Sequence, residues 1–497
     1  MKYVHSVAKS LLSSLSLSSI GELSERATLS TKIEAWAFFS FILLLVWLPI
    51  PLGSNRDWAW AIGAVCICTT TLLLFIAYRG QLPYARLKPY VVLIALLVAF
   101  QVWVGLQTLP LPSEILAILS PAANDVYQSI GASYGYLSLD VRASQLSALK
   151  GLSYVVFLLN TIWLITTPKR LVFAVVALVL SGTFQAFYGA LLLMSDLSHS
   201  PIFDYPIGQA ATGSFVYKNH FANYLTMTAC LGVGLIIGQM HTDKASSLMA
   251  ATKRLISGLI SPKMLVRLCV VIIVIGLILS RSRMGNSAFI FAVTAGTVLS
   301  LLFYKHRPPA FNYLIVSILT IDTLLIGAWF GIENIKQKLL ATSLSDESRD
   351  QVVLWALDMI RDYPLTGTGM GSFYSVFPSY SRGATGFYDH AHNDYIQFMA
   401  EAGVPATFLL ASAVCIAFAY AIKALRVRSN NQLKGIGIGS CMAIIAMLIH
   451  ISVDFNLQPS ANALTFIFVL YLANASAKLP SPRSRQHRKR NKEGAYV

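Results

Sequence analysis

The sequence predicts an all-α polytopic membrane protein of about twelve transmembrane helices, with one large, partly helical loop between the ninth and tenth. Three observations carry this. Of the 497 residues 56% are hydrophobic and 12% charged, against roughly 45–50% and about 25% in soluble domains. Apolar runs recur from Trp36 to Tyr471, each near the roughly 20 residues that cross a hydrocarbon core. The Lys and Arg residues concentrate on alternate connections, as the positive-inside rule expects. This composition excludes a soluble enzyme, a secreted disulfide scaffold and a disordered chain.

Residues 1–33 read as a Ser- and Leu-rich cytoplasmic tail without a signal-peptide cleavage site. The spans are expected near 34–52, 58–78, 89–109, 149–167, 169–194, 219–240, 265–279, 284–304, 311–331, 396–423, 433–452 and 459–475. The seventh is short, and Ser280-Arg281-Ser282-Arg283 forces a break before the eighth, because arginines at mid-bilayer depth are costly. Residues 476–497 form a basic tail holding Lys478, Arg483, Arg485, Arg488, Lys489, Arg490 and Lys492. That tail belongs in the cytoplasm, and an even span count puts the N-terminus there too. The excess of 38 Lys plus Arg over 22 Asp plus Glu is thereby a topology and anionic-lipid signal, not a nucleic-acid site. All six cysteines sit in apolar runs and read as small core residues, with no metal-ligand spacing.

Chemistry is expected on the outer face. The connection at about 332–395 is far longer than a turn requires, and a second outer loop, about 110–148, is rich in Pro, Ser and Tyr and could cap the same cavity. Within the first, Ser345 is a candidate N-cap, and Val352, Trp355, Met359 and Ile360 recur at helical spacing up to Pro364. Arg349 lies one turn into that helix, on the face of Val352 and Ala356. Gly367-Thr368-Gly369-Met370-Gly371-Ser372 resembles a phosphate loop, yet it lacks the preceding strand and the following lysine. It reads as a tight turn whose backbone amides could still help to bind an anion.

Asp389-His390-Ala391-His392-Asn393-Asp394 stands where the loop re-enters the membrane. His-x-His is an awkward metal pair with no third ligand in sequence. A histidine at the mouth of a span suits a base that takes a proton from a hydroxyl; the alternative is a packed, hydrogen-bonded ring. Topology sends Arg281, Arg283 and Lys218 to the same face. Arginine forks match phosphate oxygens, so this set suits a membrane-surface phosphate or diphosphate; the alternative is separate ion pairs with Asp346, Asp350, Asp389 and Asp394.

These residues resemble the O-antigen ligase/polymerase family of bacterial envelope glycosyltransferases. The family's ligase motif is matched by His392-Asn393, nine residues, Gly403, two residues, and Ala406 in place of the usual Gly or Thr. Ser282-Arg283 opening a span, the Arg349–Trp355 segment leading into Pro364-Leu365-Thr366-Gly367, and Gly213-Ser214-Phe215 before Asn219-His220-Phe221-Ala222 are similar to further family segments, and together the likeness covers about residues 210–410. The resemblance implies a GT-C-type helical fold in the bacterial inner membrane and an undecaprenyl-diphosphate-linked glycan as donor. Its acceptor would be lipid A-core, the growing glycan itself or a protein side chain. It implies His392 as the residue that activates the acceptor hydroxyl, and Arg283 and Arg349 as the diphosphate-binding pair, without metal or nucleotide cofactor. Arg281 and Lys218 join the diphosphate site from topology, with His390, Asn393 and Asp389 in support. A reading from another class is a transporter of a small anion such as bicarbonate, for which Asp322, in the ninth span, is the candidate mid-membrane ionisable group.

Overall fold

The computed structural model describes residues 29–240, 262–305, 349–382 and 388–480. Over these the chain is helical, apart from one two-stranded pair. Ten of the described helical segments are long and apolar enough to cross a membrane. They are α1 (Leu29–Trp47), α2 (Asp57–Ala77), the segment Tyr84–Leu106 that ends in α3 (Val91–Leu106), α6 (Val141–Leu164), α7 (Pro168–Leu193), α8 (Lys218–Gly238), α10 (Arg283–Phe303), α14 (Val404–Val427), α15 (Asn431–His450) and α16 (Ser460–Lys478). A shorter apolar segment, Met264–Leu279, lies within α9 (Pro262–Leu279). The protein is therefore an all-α multi-pass membrane protein. The expected ninth span at 311–331, with Asp322, and the candidate cap Ser345 fall outside the described residues.

Three helices form the centre. The spanning windows of α8, α15 and α16 are 94%, 83% and 89% buried in the protein, against 17% for Tyr84–Leu106, so the latter belongs to the lipid-facing shell. Small residues permit the central contact. A Cβ on Gly234 would collide with the backbone of Gly435 and Gly439, and one on Gly435 with Gly234 and Gly238. Close backbone approach of this kind substitutes packing for the hydrophobic drive that is missing within lipid.

At one end of the bundle the connections build a cap. Leu111 and Pro112 (β1) pair antiparallel with Gly135 and Tyr134 (β2), enclosing α4 (Ser113–Leu119) and α5 (Pro121–Ser129). This is the 110–148 loop, and it packs on the other large connection as expected: Leu139 N–H donates to the Thr368 carbonyl at 2.8 Å, and Gln107 Nε2 to the Thr366 and Glu401 carbonyls at 2.7 and 3.0 Å. In that connection α11 (Arg349–Asp362) buries Val352, Ala356 and Met359 with Phe373, Phe377, Ala391 and Ala400. Phe373 opens the single turn α12 (Phe373–Val376). The expected span 396–423 is divided: α13 (Asp394–Ala402) ends at Gly403, whose φ of +83° breaks the helix, and α14 restarts with Pro405 in its first turn. Glycine is suited to that backbone and proline to that position, so α13 belongs to the cap rather than to the span.

Candidate active site

His392 is the last residue but one before α13. Its backbone has φ +51°, the left-handed region that a non-glycine side chain seldom enters. The next residue, Asn393, caps α13: its Oδ1 accepts the Ile396 N–H at 3.2 Å while its Nδ2 donates to the Ser452 carbonyl at 2.8 Å. One side chain thus stops the turn, starts the helix and ties both to the connection between α15 and α16. Ala391, buried in the cap core, fixes the other side.

The α15–α16 connection supplies the histidine's partner. His392 Nδ1 lies 3.8 Å from Asp454 Oδ1, an ion-pair distance rather than a hydrogen bond. The histidine side chain is 16% exposed and that of the aspartate 2%, so the imidazole keeps some access to solvent while the carboxylate is shielded. Asn219 Nδ2 donates to Asp454 Oδ2, and the Phe455 N–H to Oδ1 at 3.0 Å. Burial works against the charged carboxylate, but His392, His220 and His450 around it prevail, and the Asp454 carboxyl is held below its ordinary range.

Phe455 is the hub of the cluster. Its ring stacks on His390 at 4.3 Å and Tyr217 at 5.6 Å, and meets His392 and His220 edge-on at 4.9 and 4.8 Å. These rings come from three separate stretches of chain, and a flat apolar ring between them fixes their spacing. Gln397 Nε2 lies 3.1 Å from His390 Nδ1, and burial pushes that imidazole down to about 4. His390 is therefore a neutral, packed ring, which removes it as a cation at neutral pH. Asp389 is exposed.

A clamp holds the connection in place. Asp394, fully buried, accepts the Leu457 N–H at 2.8 Å and Gln458 Nε2 at 3.1 Å. Lys150 Nζ, from α6, donates to the Gln458 carbonyl at 2.8 Å. Burial raises the Asp394 carboxyl to about 8, against the hydrogen bonds it accepts.

Of the expected cations, Lys218 is exposed and immediately precedes Asn219 at the start of α8. Arg281 and Arg283 are exposed at the turn into α10. That turn lies at the cluster's end of the bundle: a Cβ on Gly285 would stand 3.2 Å from His450 Cε1. Among the described residues none of these three cations forms an ion pair, so the alternative of pairings with Asp389 and Asp394 is not met. Arg349 opens α11, which packs on α13.

The glycine turn is not an anion site. Its amides are consumed inside the protein: Thr368 N–H by the Ala400 carbonyl, Gly369 N–H by the Glu401 carbonyl, Met370 N–H by Gln107 Oε1 at 3.1 Å and Phe373 N–H by Glu401 Oε1 at 3.1 Å. The carboxylate it wraps is the chain's own. No group of three or more His, Cys, Asp or Glu among the described residues is arranged to hold a metal ion.

Sequence reasoning missed Asp454, Phe455 and His220. A signal existed: the predicted topology places the 453–458 connection on the same face as His392, and Asp454 is its one acidic residue. No curated protein matches the chain. Residues 268–411, which hold Arg281, Arg283, Arg349, His392 and Gly403, match the family model described as O-antigen ligase. The chain thus carries, at residues 268–411, the domain of the O-antigen ligase family, a family of glycosyltransferase-type membrane enzymes.

Proposed function

We propose that this protein transfers a glycan from an undecaprenyl-diphosphate donor to a hydroxyl acceptor on the periplasmic face of the bacterial inner membrane, acting as an O-antigen ligase or as a glycan polymerase. The observation that carries the reading is the 3.8 Å approach of His392 to the buried Asp454 carboxylate, with the imidazole keeping some access to solvent. A carboxylate that orients an imidazole equips the ring to take a proton. The acceptor O–H proton passes to His392, the acceptor oxygen bonds to the anomeric carbon, and the glycosyl–oxygen bond to the diphosphate breaks. On this reading Lys218, Arg281, Arg283 and Arg349 are the cations that stabilise the charge developing on the departing lipid diphosphate. Both termini are then cytoplasmic. Direct attack on the anomeric carbon inverts its configuration.

Purified protein in nanodiscs, given a lipid-diphosphate-linked glycan and candidate acceptors without any ion gradient, should form the glycoside. Retained turnover after His392→Ala overturns the assignment of the base, and absence of any transfer with a gradient-dependent flux instead favours a carrier. A deletion strain separates the two enzyme readings: full-length lipid-linked chains mark a lost ligase, single repeat units a lost polymerase.

A further inference from the structure

Around Asp454 lies a second set of polar groups that the transfer chemistry does not use. His220, Asn223, His450, Asn456 and Asn462 are each at most 3% exposed. They are close together: Asn223 Nδ2 is 3.3 Å from His450 Nδ1, Asn462 Nδ2 donates to the His220 carbonyl at 3.1 Å, and Asn456 follows Asp454 by two residues. Asp454 lies within electrostatic reach of both His220 and His450. Yet Asn223 Oδ1, His450 Nε2, Asn462 Oδ1 and both polar side-chain atoms of Asn456 meet no donor or acceptor of the described chain. Such atoms are costly and rare in folded interiors, and with His220 Nε2 these five residues around Asp454 carry six of them.

We propose that this region is a hydrated chamber, holding internal water that bridges His450, Asn223, Asn456 and Asn462 to Asp454 beside His392. This rests on the reading of His392 and Asp454 as the proton-accepting pair. The unpaired atoms select the ligand. They include acceptors (the asparagine oxygens), a donor (Asn456 Nδ2) and a ring nitrogen that can be either. Water satisfies that mixture; a metal ion would face the Asn456 amide hydrogens, and an anion would face Asp454. The carboxylate has room for it: Asn219 and the Phe455 N–H are its hydrogen-bond donors, and a carboxylate offers about four acceptor sites.

The test uses radiolytic hydroxyl labelling of the full chain in nanodiscs, because bound water generates radicals beside buried side chains. Met447, which borders the chamber, should be labelled several-fold faster than the equally buried Met227 and Met442. Equal rates overturn the proposal. In a second arm, Asn456→Leu with Asn462→Leu should abolish the fast labelling. Fast labelling that survives both replacements overturns the proposal. Labelling is read without catalysis, so fast labelling together with active His392→Ala protein would sink the base assignment and leave the water in place.

Discussion

Two loops at the same end of the bundle carry opposite lessons. Residues 367–372, with three glycines among six, read in sequence as a tight turn whose amides could help to bind an anion; residues 451–459 look like a plain turn between spans. In the structure the glycine loop folds around Glu401 and spends its amides on α13 and Gln107. The plain turn delivers Asp454 and Phe455 to His392. A backbone that can bind an anion binds whichever anion the fold puts nearest, and here that is a side chain of the same protein. The first loop is scaffold and the second is chemistry, and each of the following experiments can break that division.

The largest effect is expected at His392. His392→Ala should lower kcat by at least about a hundredfold, the usual worth of a positioned general base, and also lower the thermal midpoint, because the Phe455 ring loses its neighbour and the buried Asp454 carboxylate loses a partner. Next comes Arg283→Ala, for which a loss of about ten- to a hundredfold in kcat/KM is expected, the value of one charge-assisted hydrogen bond of roughly 1.5–3 kcal/mol. Steady-state rates with varied donor would show it. Asp454→Asn should cost about tenfold in kcat at neutral pH, because the imidazole loses the carboxylate that stands 3.8 Å from its Nδ1 and orients it. Unchanged kcat would mean that Asp454 is a packing residue.

The pH dependence of stability probes the scaffold loop. Burial raises the Glu401 carboxyl from its ordinary value to about 7. Between about pH 4.5 and 7 the folded protein therefore holds a proton that the unfolded chain releases. The contribution is complete below the ordinary carboxyl range and is lost as pH rises through about 7. Glu401→Gln should remove that slope from the thermal midpoint measured from pH 4 to 8, with a smaller effect on transfer.

The difference between the two loops also marks what was legible in the sequence. Long apolar runs made the spans readable, because a bilayer demands about the same length of every helix. His392 was readable from its position at a span mouth and from the family motif. Asp454 was not, because nothing local marks an aspartate in a short turn; its role arises from Asn393, Asp394 and Lys150 holding that turn against α13 and α6. The division of the expected tenth span was written in Gly403-Val404-Pro405, but hydropathy is blind to a one-residue break. The glycine segment was legible as a tight turn, but the partner of its amides was not, because that is decided by contacts more than two hundred residues apart, such as Gln107 with Met370.

The smallest effect is the sharpest discriminator between scaffold and site. Gly369 has φ +105°, and a Cβ there would collide with Ser138 and stand 2.7 Å from Ser144 Oγ. Gly369→Ala should therefore destabilise the protein by about 1–3 kcal/mol, the cost of a strained backbone conformation, which a thermal unfolding series would show. If the loop is scaffold, the variant that remains folded keeps its KM for the lipid diphosphate. If the loop's amides instead reach the donor, the methyl group displaces them at their point of closest approach, and KM rises while the thermal midpoint falls. Because the Gly369 N–H is already taken by the Glu401 carbonyl at 2.9 Å, it has no hydrogen left to offer a phosphate, and the first outcome is the one expected.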